Sequence, residues 1–301
     1  MATSQKPAKV LKGVRILSLS LNLPGPSALL RLKRMSANCV KLEPLAPTNA
    51  PTGITGDPMS AYSRVAYEAM HAGIRVLAAD LKTAAGQKKM QSELDKADVL
   101  LTSFRPSALT KLGLDWRSLQ LRYPALSLVA IVGAPGAGAE LPGHDLTYMA
   151  ENDLITGLDL PATLYADMAG ALMAVEAVLQ AVLLQRQTGR GHRFEVALSD
   201  AAAHLAQPRA WGLTLPGTPI GGGHAGYRVY PCQDGRVALA ALEPHFAKAL
   251  CAVAGLTWTN PAMMMAPATH QAIARCVAAR TCAQWQQLAA QHDIPLHTLP
   301  N

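Results

Sequence analysis

Four side chains in this sequence combine acid and base chemistry with settings that would tune it. His144 and Asp145 lie in Pro142-Gly143-His144-Asp145-Leu146-Thr147-Tyr148, a histidine–aspartate pair in a glycine-rich connection. Asp167 follows in Leu164-Tyr165-Ala166-Asp167-Met168-Ala169-Gly170, at the mouth of a long alanine-rich segment. Glu243 sits in Ala240-Ala241-Leu242-Glu243-Pro244, where a strand pattern gives way to a helical one. An imidazole exchanges its proton near neutral pH, so His144 is a candidate general base. A carboxylate at a helix start meets backbone amides that stabilise it, and the amides around Met168 would equally hold an oxyanion. Plainer roles stay open: Asp167 as a helix cap, Glu243 as a first-turn acid before proline, Asp145 as a residue that orients a loop.

The elements that position these groups follow from the pattern. Residues 13–20, 38–43, 76–81, 98–102, 126–132 and 194–198 are short apolar runs that read as strands. Helical segments separate them, with Ser27, Thr83 and Ser107 as expected starts and 168–186 as the strongest helix. Alternation of this kind predicts a doubly wound parallel α/β sheet. In such sheets ligands lie outside the carboxyl ends of the strands. The Pro24-Gly25-Pro26 turn, Phe104-Arg105-Pro106 and the loop 133–143 all follow strands and are expected to face one crevice. Residues 216–226, with Gly221-Gly222-Gly223, read as a linker into a smaller α+β domain. Its hairpin is marked by Gln233-Asp234-Gly235. The expected division is a large α/β domain over 1–205, a small domain over 206–285, and a C-terminal return to the large domain over 286–301.

Composition removes several classes. The chain has 301 residues, 50% of them hydrophobic and 5% aromatic, enough for a sizeable core of close-packed helices on a sheet. The net charge of +7 is spread along the chain, which favours a small anionic ligand over nucleic acid. Five cysteines form no C-x-x-C pair, so no metal site and no disulfide framework is expected. Residues 14–23 lack a signal-type cleavage site, and the apolar run 171–184 is short for a bilayer and holds Glu176. A cytoplasmic protein without membrane contact is expected. The glycine fingerprint of nicotinamide sites does not follow the first strand, and no phosphate-loop lysine, G-x-S-x-G or H-E-x-x-H occurs.

The chain resembles the family III coenzyme A transferases, the superfamily of α-methylacyl-CoA racemases and the carnitine and bile-acid CoA transferases. The resemblance rests on an ordered series over most of the chain. It includes Leu11-Lys12-Gly13-Val14-Arg15, Gly25-Pro26, Val40-Lys41-Leu42-Glu43-Pro44, Asp80-Leu81-Lys82, Phe104-Arg105-Pro106, Gly143-His144-Asp145, Asp167, Gly189-Arg190-Gly191, Asp234-Gly235-Arg236 and Glu243-Pro244. It implies an interlocked homodimer and an acyl-CoA thioester as partner, with coenzyme A arriving as part of the substrate and no permanently bound cofactor. It also implies roles. Asp167 is the nucleophile of a transferase or an acid/base of a racemase. His144 is its opposite number in a racemase, and Glu243 assists from the second subunit. Arg105 contacts CoA, with Arg31, Arg34 and Lys82 as basic neighbours. The expected activity is racemase-like α-proton transfer on a 2-methylacyl-CoA. The alternatives are CoA transfer through an acyl anhydride on Asp167, and a non-catalytic paralogue.

Overall fold

The computed structural model describes residues 9–301. They divide into two compact units, the first ending at Ala206 and the second spanning Gln207–Asn301. In the first, β1 (Arg15–Ser18), β2 (Asn38–Glu43), β3 (Arg75–Ala78), β4 (Val99–Thr102), β5 (Ser127–Val132) and β6 (Arg193–Ala197) form one sheet in the order β3-β2-β1-β4-β5-β6. Every pairing is parallel. All six expected strands are present. β4 and β5 are buried at every residue, which explains their unbroken apolar sequence: both faces are covered.

The cover comes from α1 (Pro24–Arg34), α2 (Met59–Tyr62), α3 (Arg64–Met70), α4 (Ala84–Leu94), α5 (Pro106–Lys111), α6 (Trp116–Arg122), α7 (Asp145–Glu151), α8 (Tyr165–Thr188) and α9 (Leu198–Ala210). Adjacent strand residues point to opposite faces, so Ile16 joins a core with Leu29, Val129 and Val178, while Leu17 joins one with Leu42, Leu94 and Leu119. Buried Ala171, Ala174, Ala177 and Ala181 give α8 a face of small residues, which lets it approach its neighbours closely. α8 has 24 residues and is long and apolar enough to cross a membrane by length and composition, more than the 14-residue run in the sequence indicates. Its buried face packs in the core shared with β5 and β6.

Helix starts depart from the expected residues. α1 begins at Pro24 and α5 at Pro106 rather than at Ser27 and Ser107, because proline at the first position lacks only a donor that would have no partner. Thr83 does cap α4, accepting from the Gly86 amide at 3.1 Å.

The second unit holds β7 (Tyr227–Cys232), β8 (Gly235–Ala240) and β9 (Leu296–Pro300), antiparallel in that order. α10 (Pro244–Val253), α11 (Pro267–Ala278) and α12 (Cys282–His292) pack with them around Trp285, Leu250, Ile273 and Val237. The hairpin turns at Gln233-Asp234, as its sequence indicates. The closing segment is a correction: β9 completes the small sheet rather than returning to the large domain, since β8 offers it an open edge from Gly235 to Leu239. The units divide inside α9, ahead of the expected linker at 216–226.

Candidate active site

Three loops at the carboxyl ends of β1, β4 and β5 enclose a cavity of about 300 Å³. Asn22 and Pro24 come from the first, Phe104 and Arg105 from the second, Gly143 and His144 from the third. This is the crevice expected from the sequence, at the reversal of strand order. Asp167 and Tyr148 complete it.

Asp167 is the third residue of α8, inside the first turn rather than before it. Burial pushes its carboxyl up to about 6, the negative charge of Asp145 adds to this, and His144 opposes it. Asp145 itself is buried, and its Oδ1 accepts from the Asp167 amide at 2.9 Å. It therefore positions the reactive carboxylate through the backbone. The Met168 amide, expected to be free for an oxyanion, donates to the Leu164 carbonyl at 3.1 Å. Both amides are thus occupied, by Leu164 just before α8 and by Asp145.

His144 is exposed and directly precedes α7. Its amide donates to Thr147 Oγ1 at 3.1 Å, and that hydroxyl donates to the His144 carbonyl at 2.8 Å. The backbone is held where His144 lines the cavity. Glu140 ties the same loop to the start of α5: its carboxylate accepts from the Ser107 amide at 2.6 Å and from the Ser107 hydroxyl at 2.9 Å. That helix start carries Arg105.

Tyr148 was visible in the sequence only as the end of the His144 stretch. Its hydroxyl lies against two glycines. A Cβ at Gly143 would stand 2.6 Å from the oxygen, and one at Gly133 would be closer still. Burial raises the Tyr148 pKa, and Asp167 raises it further. Gly143→Ala is expected to displace the ring, cost about 1–3 kcal/mol of stability and lower activity. Urea unfolding and steady-state rates on the same preparation check both.

A second groove, about 790 Å³, adjoins the first through Phe104, which lines both. It is lined by Lys82 and by Lys111, the second of which the sequence reading did not single out. Arg31 and Arg34 do not belong here. They are exposed in the last turn of α1, and a helix that leaves the carboxyl end of β1 finishes at the opposite end of the sheet. Glu243 is exposed at the start of α10 in the second unit.

Behind the Asn22 turn lies a buried charge cluster that the sequence reading also missed. Lys41 and Asp57 are fully buried and paired, and Lys41 Nζ lies 3.2 Å from Glu43 and 2.9 Å from His71 Nε2. His71 Nδ1 is 2.6 Å from the Tyr67 carbonyl, which only accepts, so Nδ1 carries the proton and Nε2 accepts from Lys41. Burial and the Lys41 charge lower the His71 pKa, consistent with a neutral ring. Asp57 Oδ1 accepts from the Asn22 amide at 3.0 Å and the Met59 amide at 2.9 Å. The cluster thus fixes one wall of the cavity.

Fold and site together define an α/β protein with a histidine and a carboxyl of raised pKa in one cavity at the sheet's switch point, beside a basic groove. The chain belongs to CoA-transferase family III, whose model matches residues 11–300. Succinate–glutarate CoA-transferase of Agrobacterium fabrum is 27% identical over 82% of this chain and 66% of its own length. Alpha-methylacyl-CoA racemase of Mus musculus is 28% identical over 93% of this chain and 74% of its own. Among solved structures, a hypothetical protein from Mycobacterium tuberculosis superposes with a TM-score of 0.78 at 24% identity, over 98% of this chain and 86% of that one. A CAIB/BAIF family protein from Brucella suis gives 0.75 at 23%, over 97% and 84%. At these identities the structures speak to the fold.

Proposed function

We propose that the protein acts on an acyl-CoA thioester and moves the α-proton of a 2-methylacyl group. The observation that carries this reading is that His144 and Asp167 line one cavity in which burial pushes the Asp167 carboxyl up to about 6. A thioester acidifies its α-proton. Neutral His144 takes that proton from one face, leaving an enolate, and protonated Asp167 returns one on the other face. For the opposite enantiomer the roles reverse. At pH 7 roughly a tenth of Asp167 is protonated, where an ordinary aspartate would be almost wholly ionised. Such acid–base help is worth about 10²–10⁴-fold.

The CoA moiety lies along the second groove, its phosphates near Arg105, Lys82 and Lys111. Arg105→Ala is expected to weaken CoA binding about tenfold and to flatten its salt dependence, as read by calorimetry at two ionic strengths. The working form is a homodimer in which Glu243 serves a second copy. The apolar side chains that α8 leaves exposed, Tyr165, Met168, Leu172 and Leu183, suit a face covered by that copy.

The second reading is CoA transfer, and Asp167 at a helix start favours it: an ionised carboxylate attacks the thioester carbonyl, the C–S bond breaks, and CoA leaves as thiolate. Incubation in heavy water separates the two. Racemisation incorporates deuterium at the α-carbon, and His144→Ala removes exchange of one enantiomer much more than the other. Transfer gives no exchange and an Asp167 adduct trapped by hydroxylamine. Neither signal across a panel of acyl-CoAs would leave the non-catalytic paralogue.

A further inference from the structure

The fold brings together three side chains that the sequence keeps apart. Cys232 ends β7, Asp234 occupies the hairpin turn, and Cys282 is the first residue of α12. Their sulfur and oxygen atoms all lie within 4.8 Å of one another. Cys232 Sγ is 3.4 Å from Cys282 Sγ and 3.6 Å from Asp234 Oδ1. We propose that Cys232, Asp234 and Cys282 form a site for a zinc-class divalent ion in the second unit, separate from the acyl-CoA chemistry.

The spacing fits tetrahedral coordination. Zinc–sulfur bonds of about 2.3 Å and zinc–oxygen bonds of about 2.0 Å put two sulfurs about 3.8 Å apart and sulfur and oxygen about 3.5 Å apart. The observed 3.4 and 3.6 Å need only small side-chain rotations. A disulfide would require the sulfurs to close to about 2.05 Å, a larger movement.

The backbone under the three ligands is already fixed. The Gln233 amide donates to the Arg280 carbonyl and its side-chain Nε2 to the Ala279 carbonyl, each at 3.0 Å. The Cys282 amide donates to Asp234 Oδ1 at 2.6 Å. These bonds clamp the hairpin to the start of α12 with no help from a metal, so binding needs no folding of the site. Thr281 caps α12 and so fixes the backbone at Cys282. Cys282 is buried while Cys232 is half-buried and Asp234 exposed, which leaves a path for the ion. Two thiolates select soft or borderline ions over magnesium or calcium. Binding breaks two S–H bonds and forms two metal–sulfur bonds, and both protons leave to solvent. Three protein ligands leave the fourth position to water.

The test is a zinc titration of the reduced full-length protein against a chromogenic chelator, paralleled by a cobalt titration. Expected are one zinc per chain and a cobalt spectrum with thiolate charge-transfer absorption in the near ultraviolet. Cys232→Ser and Cys282→Ser each weaken binding about 100-fold and Asp234→Asn about tenfold, whereas Cys276→Ser changes nothing. Zinc also slows maleimide labelling of Cys232 in the wild-type protein, a readout that needs no variant to fold. A cobalt spectrum without the thiolate band overturns the proposal. So does zinc affinity retained in the Cys232→Ser, Cys282→Ser double variant.

Discussion

Asp167→Asn is expected to lower acyl-CoA turnover by about 10²–10⁴-fold and, at the same time, to stabilise the fold at alkaline pH. The second effect follows from linkage. The folded state holds the Asp167 proton to about pH 6, against 3.8 for an ordinary aspartate. Folding therefore binds the proton more tightly. The favourable contribution is complete below pH 3.8 and is lost as pH rises through 6. Above that the wild type carries an ionised carboxylate in a partly buried site, at a cost of about 1–3 kcal/mol once solvent access is allowed for. Asparagine has no such cost. Urea unfolding at pH 8 should find the variant more stable, with the gap closing towards pH 4. A variant less stable than wild type at pH 8 would mean that burial does not raise this carboxyl. The wild-type rate profile should carry a limb near pH 6 that the variant lacks.

Lys41→Met should destabilise the first unit by about 3–5 kcal/mol. It strips the only cation from a cluster that holds two buried carboxylates, Asp57 and Glu43, among the described residues. Adding Asp57→Asn to that variant should recover part of the loss, because one uncompensated charge goes with it. Asparagine keeps an acceptor for the Asn22 amide, so cavity geometry should recover with stability. Denaturant midpoints for the single and double variants, with KM measured alongside, check both halves. Equal destabilisation in the two would show that packing, not charge, dominates the site.

The large-scale fold was legible because its signals are local. Each strand is a short apolar run, and each crevice loop follows one, so strands, parallel pairing and the meeting of the Pro24 turn, Arg105 and the loop 133–143 could be read in order. His144 and Asp167 stood out for the same reason. What stayed hidden depends on distance along the chain. Lys41 meets Asp57 across a loop rich in proline and glycine that offers no periodic pattern, and Cys232 meets Cys282 across 50 residues. Arg31 and Arg34 were misplaced because nearness to the Pro24 turn in sequence says nothing of the helix end on which they fall. Asp145 looked like a reactive group by type. Only its burial and its bond to the Asp167 amide show that it works on the backbone.

That bond places two properties of the protein on one residue. Asp145 both pins the first turn of α8 and raises the proton affinity of Asp167. A lineage that exchanges it for a neutral acceptor keeps the turn but shifts the proton affinity of its reactive carboxylate. One that removes the acceptor altogether loosens the turn as well. Optimum pH can therefore drift through Asp145 while the turn stays ordered, but the turn cannot lose its acceptor without the proton affinity of Asp167 changing as well.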